Sequence, residues 1–159
     1  MIDPGRPEET RLGKVIALPE CLYSIWGARA VYIAQLELLA VLVALTEVAG
    51  LVRGANSIWF IDNVAALMAL VKGSSGSHSL DQMAKIVHLA RFAVRSVPYF
   101  EYIESKANWA DEISREGTQG NWAPRNAFSV EECGVVVQLL TLPSLAGIRI
   151  LSICRSQGN

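Results

Sequence analysis

Apolar positions along this chain fall into blocks of two sizes, one long enough for helices and one short enough for strands. Residues 33–45, Ile-Ala-Gln-Leu-Glu-Leu-Leu-Ala-Val-Leu-Val-Ala-Leu, are apolar almost all round and predict a buried helix over about residues 31–50, ended with the help of Gly50 and Gly54. Ser57–Ile61 is a continuous apolar run between polar residues, the pattern of a strand buried on both faces. A short helix is predicted over Val64–Val71, then a flexible Gly/Ser loop from Lys72 to His78. Ser79 and Gln82 have capping-box spacing and predict a helix through about Ser96. Leu80, Met83, Ala84, Val87 and Val94 fall on its apolar side, and Asp81, Lys85, His88 and Arg95 on its polar side. Pro98 ends that helix, Tyr99–Ile103 is the next strand, and Asn108 caps a helix holding Ala110, Asp111, Ile113 and Ser114.

Upstream, residues 3–11 read as a loop. Leu12–Leu18 and Cys21–Trp26 read as two strands of an antiparallel hairpin turning at Pro19-Glu20. Gly27-Ala28-Arg29 then leads into the long helix. The order is strand, strand, helix, strand, helix, helix, strand, helix, an α/β pattern. The two later strands, reached through helices, should run parallel in a mixed sheet with helical cover. The character changes after Arg115. Residues 116–126 read as a loop, and 135–142 and 148–154 as two strands across a turn at 143–147. This divides the chain into a domain over 1–117 and a C-terminal extension over 118–159, a possible β-hairpin. No internal repeat is present.

With 159 residues, 52% of them hydrophobic and 18% charged, the chain can bury one substantial core and is not a disordered polymer. The net charge of −1 gives no overall basic character, although 14 Lys and Arg suffice for a local basic face. Lys85, His88 and Arg95, helped by Lys72, offer such a face to a nucleic-acid backbone; a solvated helix face is the plainer alternative. Three scattered cysteines, Cys21, Cys133 and Cys154, show no metal-ligand spacing and no disulfide framework, which suits a reducing compartment. The first residues lack a signal-peptide pattern, so an intracellular location, cytoplasmic or nuclear, is expected. Residues 33–52 are long enough to span a membrane, but Gln35, Glu37, Thr46 and Glu47 favour a buried helix and no membrane partner.

Three acids change the picture. Glu37 sits in the greasiest helix, with Ile33, Ala34, Ala40 and Val41 as its neighbours three and four residues away. A carboxylate there needs a partner, a shifted pKa or a cation. Asp62 follows the strand Ser57–Ile61, where α/β folds place ligand-binding groups; the plainer alternative is that Asp62 or Asn63 caps the next helix. Asp111 lies in the first turn of the last helix, a position an acid also takes for the helix dipole. If the three converge on one sheet end they repel one another unless a cation joins them. Hard oxygen ligands of this kind suit Mg²⁺ or Mn²⁺ and phosphodiester hydrolysis by two metal ions.

These stretches carry a resemblance. Gln35–Leu45 resembles the first-helix motif of the ribonuclease H fold, Trp59-Phe60-Ile61-Asp62-Asn63 its central strand, and Ser105–Arg115 its closing N-x-A-D-x-x-S-R signature. The flavour is that of retroelement polyproteins, in which such a domain follows reverse transcriptase, and the likeness covers about residues 12–117. It implies a ribonuclease H-like mixed sheet, an antiparallel hairpin plus parallel strands, with helices on both faces. It also implies metal-dependent cleavage of the RNA strand of RNA–DNA hybrids, with Glu37, Asp62 and Asp111 as catalytic metal ligands and two Mg²⁺ (or Mn²⁺) ions.

The chain departs from the family in two places. The first strand, which should carry a bridging aspartate, is expected to be truncated or missing. The acid would then lie upstream of Met1, with Asp3 as the substitute candidate. The loop histidine before the last aspartate is absent, leaving Lys106 as a possible phosphate contact. The alternative reading is therefore a degenerate, inactive fragment acting as a nucleic-acid-binding or scaffold module. Integrase or exonuclease chemistry on a related acid-lined sheet is a further possibility.

Overall fold

The computed structural model describes residues 18, 20–27 and 31–116. The Leu12–Leu18 strand (all but its last residue), Asp3 and the 118–159 extension lie outside the described residues.

The chain begins with a correction. Cys21–Trp26 is a helix, α1, and not the second strand of a hairpin. Leu22 and Trp26 are the reason: four residues apart, both are buried, while Ser24 between them is exposed. A strand would have put Ser24 on the same inner face as Leu22 and Trp26, whereas one helical turn carries it outward. Gly27, at φ +73°, ends the helix. Tyr23, Trp26 and Tyr32 then stack into an aromatic corner with ring centroids 5.1–6.2 Å apart, and the Tyr32 hydroxyl donates to the Gly27 carbonyl. The corner fastens α1 to the start of the next helix.

That helix, α2, runs Ile33–Glu47 and lies at the centre of the fold, with Leu38, Leu42 and Leu45 fully buried. Its one buried hydroxyl, Thr46, donates back to the Leu42 and Val43 carbonyls, which removes the cost of placing it in apolar surroundings. The helix breaks at Val48 and resumes as α3, Ala49–Val52. Gly50 therefore lies inside a helical turn, and Gly54, at φ +68°, lies beyond the end of α3. Among the described residues no helix is long and apolar enough to cross a membrane.

Two strands follow, β1 (Asn56–Ile61) and β2 (Val97–Tyr102), joined through α4 (Val64–Lys72) and α5 (His78–Val94). They pair in parallel with Ile58 opposite Tyr99, as the helical crossover requires. Pro98 is therefore a strand residue; α5 has already ended at Arg95. Val97 and Ile103 donate to β1, so the missing N–H of Pro98 points away from β1 and interrupts no bond between the strands. The start of α5 also differs from expectation. Ser77 is its N-cap, and Ser79 is buried instead, accepting a hydrogen bond from Gln35 Nε2 at 3.1 Å. That bond ties α2 to the first turn of α5.

The core is the space between α2, α4, α5 and one sheet face. Trp59, Ile61 and Phe100 contribute from the strands, and Ala66, Leu70, Met83, Val87 and Val94 from the helices. The other sheet face is left exposed: Ile58, Phe60, Val97 and Tyr99 are each 55–65% accessible. Cover on both faces is thus not found among the described residues, and neither is an antiparallel hairpin. The fold established here is a mixed α/β arrangement around a two-stranded parallel sheet. A 3₁₀ turn, Ser105–Ala107, leads from β2 into α6 (Trp109–Glu116).

Candidate metal centre

The three acids come from three elements, and both aspartates lie near enough to act on Glu37. Glu37 comes from the first half of α2, Asp62 from the residue after β1, and Asp111 from the first turn of α6. Local capping explains how the aspartates are aimed. Asn63 Oδ1 accepts from the Ala66 N–H at 3.0 Å and so caps α4 by itself, which frees Asp62 from that duty. Asn108 Oδ1 does the same at the start of α6, accepting from the Ala110 N–H at 3.1 Å. Asp111 then falls one turn into the helix.

Glu37 records the convergence. Its carboxyl is pushed up from 4.5 to about 7, first by burial, then by the negative charge of Asp62, a hydrogen bond with Asp62, and the charge of Asp111. Two carboxyls can share a hydrogen bond only through a proton, and Glu37, with its raised pKa, is the one that carries it below about pH 7. The surroundings of Glu37 are less uniformly apolar than the sequence suggests. Val41 is buried and Ala34 partly so, but Ile33 and Ala40 are exposed, and the carboxyl itself is half-buried. It can meet an ion from solvent.

Asp111 is the weak member. Its Oδ2 lies 2.8 Å from Arg115 Nη2, one turn along the same helix. Among the described residues no three His, Cys, Asp or Glu side chains gather closely enough to hold a metal ion. The donor set fits a hard divalent cation in kind, with Glu37 and Asp62 already together, but Asp111 must leave Arg115 to complete a three-carboxylate set.

The basic residues named from the sequence do not all line one hollow. Lys85 is 2.7 Å from Asp81 Oδ2, a solvated helix pair. His88 donates from Nε2 to the Leu70 carbonyl at 2.8 Å, and burial lowers its pKa despite that bond. Both line an open hollow of about 510 Å³ with Gly73, Leu89 and Phe92. Arg95 is a full turn or more beyond, at the end of α5, and Lys72 is exposed at the end of α4. Lys106 stands apart in the 3₁₀ turn before α6, five residues from Asp111 in the chain.

Sequence reasoning passed over Arg53, Arg91 and Phe92. Arg95 forms a second hollow with them, of about 770 Å³. Phe92 carried the available signal, being a large aromatic four residues from His88 on the polar side of α5. No protein-family model, curated protein or solved structure matches this chain.

Proposed function

We propose that the Glu37, Asp62 and Asp111 carboxylates form the metal site of a ribonuclease H-like phosphodiester hydrolase acting on RNA–DNA hybrids. The observation that carries this reading is the Glu37 carboxyl, raised to about 7 by burial first and then by Asp62 and Asp111, two acids from separate elements. Like charges so placed are relieved either by a proton or by a cation. Divalent ions would supply an activated water and a stabilised leaving oxygen. In this reading Glu37 and Asp62 would hold the ion once the proton on Glu37 is given up, and Asp111 would join them by leaving Arg115. An exposed pair of this geometry is worth only about 0.3–0.5 kcal/mol, so the exchange costs little.

The test is cleavage of a labelled hybrid with Mg²⁺ or Mn²⁺, by the wild type and by Asp62→Asn. Metal-dependent cleavage lost in the variant supports the assignment, and no cleavage at any metal concentration sinks it for this chain. The Asp111–Arg115 pair favours a second reading, a catalytically inactive scaffold of the same descent. That version predicts no rise in melting temperature when Mg²⁺ is added.

A further inference from the structure

The opposite end of the sheet carries a separate cluster. Arg53 comes from the turn after α3, while Arg91 and Arg95 come from the last turn and the end of α5. Together with Phe92, Ser96 and Val97 they line the cavity of about 770 Å³. Neither Arg91 nor Arg95 has an ion pair among the described residues. The positive charge of Arg91 is felt as far as His88, whose pKa it helps to lower after burial. Ser96 is 7% exposed, and its Oγ is buried without a hydrogen-bond partner. A buried hydroxyl left in this state costs about 1–3 kcal/mol.

The backbone holds the cluster in a costly shape. Ser96 N–H donates to the Arg91 carbonyl and Arg95 N–H to that of Phe92, a helix ending that normally uses glycine at the left-handed position. Here Arg95 occupies it at φ +58°, the one non-glycine residue with positive φ among the described residues. Gly54 N–H donates to the Arg95 carbonyl at 3.2 Å and Val97 N–H to that of Ala55 at 3.0 Å, so the turn bearing Arg53 is fastened to the turn bearing Arg95. Phe92 is 75% exposed and borders both this cavity and the shallower hollow beside Gly73, His88 and Leu89. An exposed aromatic ring beside a group of guanidiniums suits a flat base carrying a phosphate.

We propose that this corner binds a nucleotide, with its phosphate among Arg53, Arg91 and Arg95 and its base against Phe92. The nucleotide is either free or a unit of a single strand. The site stands about 20 Å from the carboxylates, the length of β1, and does not depend on their being a metal centre. Guanidiniums match phosphate oxygens in pairs, and the ring accepts any base, so recognition is by charge and stacking and not by sequence.

The experiment uses the full chain in EDTA with a fluorescent eight-nucleotide thymidine strand, read by anisotropy. Unlabelled thymidine monophosphate, inorganic phosphate and anionic phospholipid vesicles serve as competitors. Displacement by strand and monophosphate at lower concentrations than by inorganic phosphate supports the site; displacement by the monophosphate alone identifies a free nucleotide as the ligand. Arg91→Glu should weaken binding about tenfold or more, and Phe92→Ala about tenfold for the strand without changing competition by phosphate. Arg95→Gly should weaken binding severalfold while keeping or raising the melting temperature, which separates lost contact from lost folding. Failure of the wild type to bind, unchanged binding in Arg91→Glu, or stronger competition from vesicles or phosphate than from nucleotide would overturn the proposal.

Discussion

The two ends of the parallel strand pair hold opposite charges under different physical conditions. At the carboxyl end, Glu37, Asp62 and Asp111 are drawn together by tertiary structure, and one of them is held partly protonated as a result. At the amino end, Arg53, Arg91 and Arg95 line one cavity, and the partial negative charge at the end of α5 favours cations there. A carboxylate can answer crowding by taking up a proton, whereas a guanidinium cannot be discharged. Crowded acids therefore report themselves through a pKa, and crowded arginines only through geometry.

The sharpest way to break this contrast is to neutralise an acid. Under the proposed function, Asp62→Asn should lower hybrid cleavage by about a thousandfold or more, since a lost metal ligand removes several kcal/mol of transition-state stabilisation. The measurement is single-turnover cleavage at saturating Mg²⁺. A loss of tenfold or less would mean the acid end does not do the chemistry.

The next effect follows from the sign of the Glu37 shift. Its pKa is about 7 in the folded protein against 4.5 ordinarily, so between those values the folded state binds more protons than the unfolded one. Its contribution is most favourable below 4.5 and declines as pH rises to 7. Glu37→Gln should accordingly raise the urea midpoint at pH 8, with a gain that shrinks steadily towards pH 4. Mg²⁺ binding to the wild type at pH 6 should release a proton, measurable as a buffer-dependent heat. A gain independent of pH would remove the electrostatic origin assigned to the shift.

Smaller effects test the supports of each end. Asn63→Ala removes the α4 cap and should cost about 1 kcal/mol of stability by chemical denaturation. Arg95→Gly relieves the left-handed strain at the other end and should stabilise by up to about 1 kcal/mol. Arg115→Gln should change stability by less than about 0.5 kcal/mol, because the pair it removes is largely exposed. That variant should also bind Mg²⁺ somewhat more tightly if Asp111 is a ligand, which a calorimetric titration would reveal.

Several features were legible in the chain because short-range physics dictates them. The apolar run 33–45 specified a central helix, the block Ser57–Ile61 a strand, and the intervening helices a parallel pairing. Asn108 was recognisable as a cap, and Glu37 as an acid in need of a partner, from neighbours a few residues away. The errors fell where two local readings were equally good. Leu22 and Trp26 share a face in a strand and in a helix alike, and only the outward place of Ser24 and the aromatic corner with Tyr32 decided for the helix. Ser79 had the spacing of a cap, but Gln35, 44 residues away, claims its hydroxyl, and Ser77 takes the N-cap position.

What the sequence determined by itself was the elements from the central helix to the last one and the identity of its isolated acids, because periodicity and turn chemistry act within a few residues. Tertiary structure alone decided which charges became neighbours. It placed Asp62 against Glu37 and brought Arg53 beside Arg91 and Arg95. Those distances depend on how helices and strands pack over tens of residues, and no local pattern encodes them.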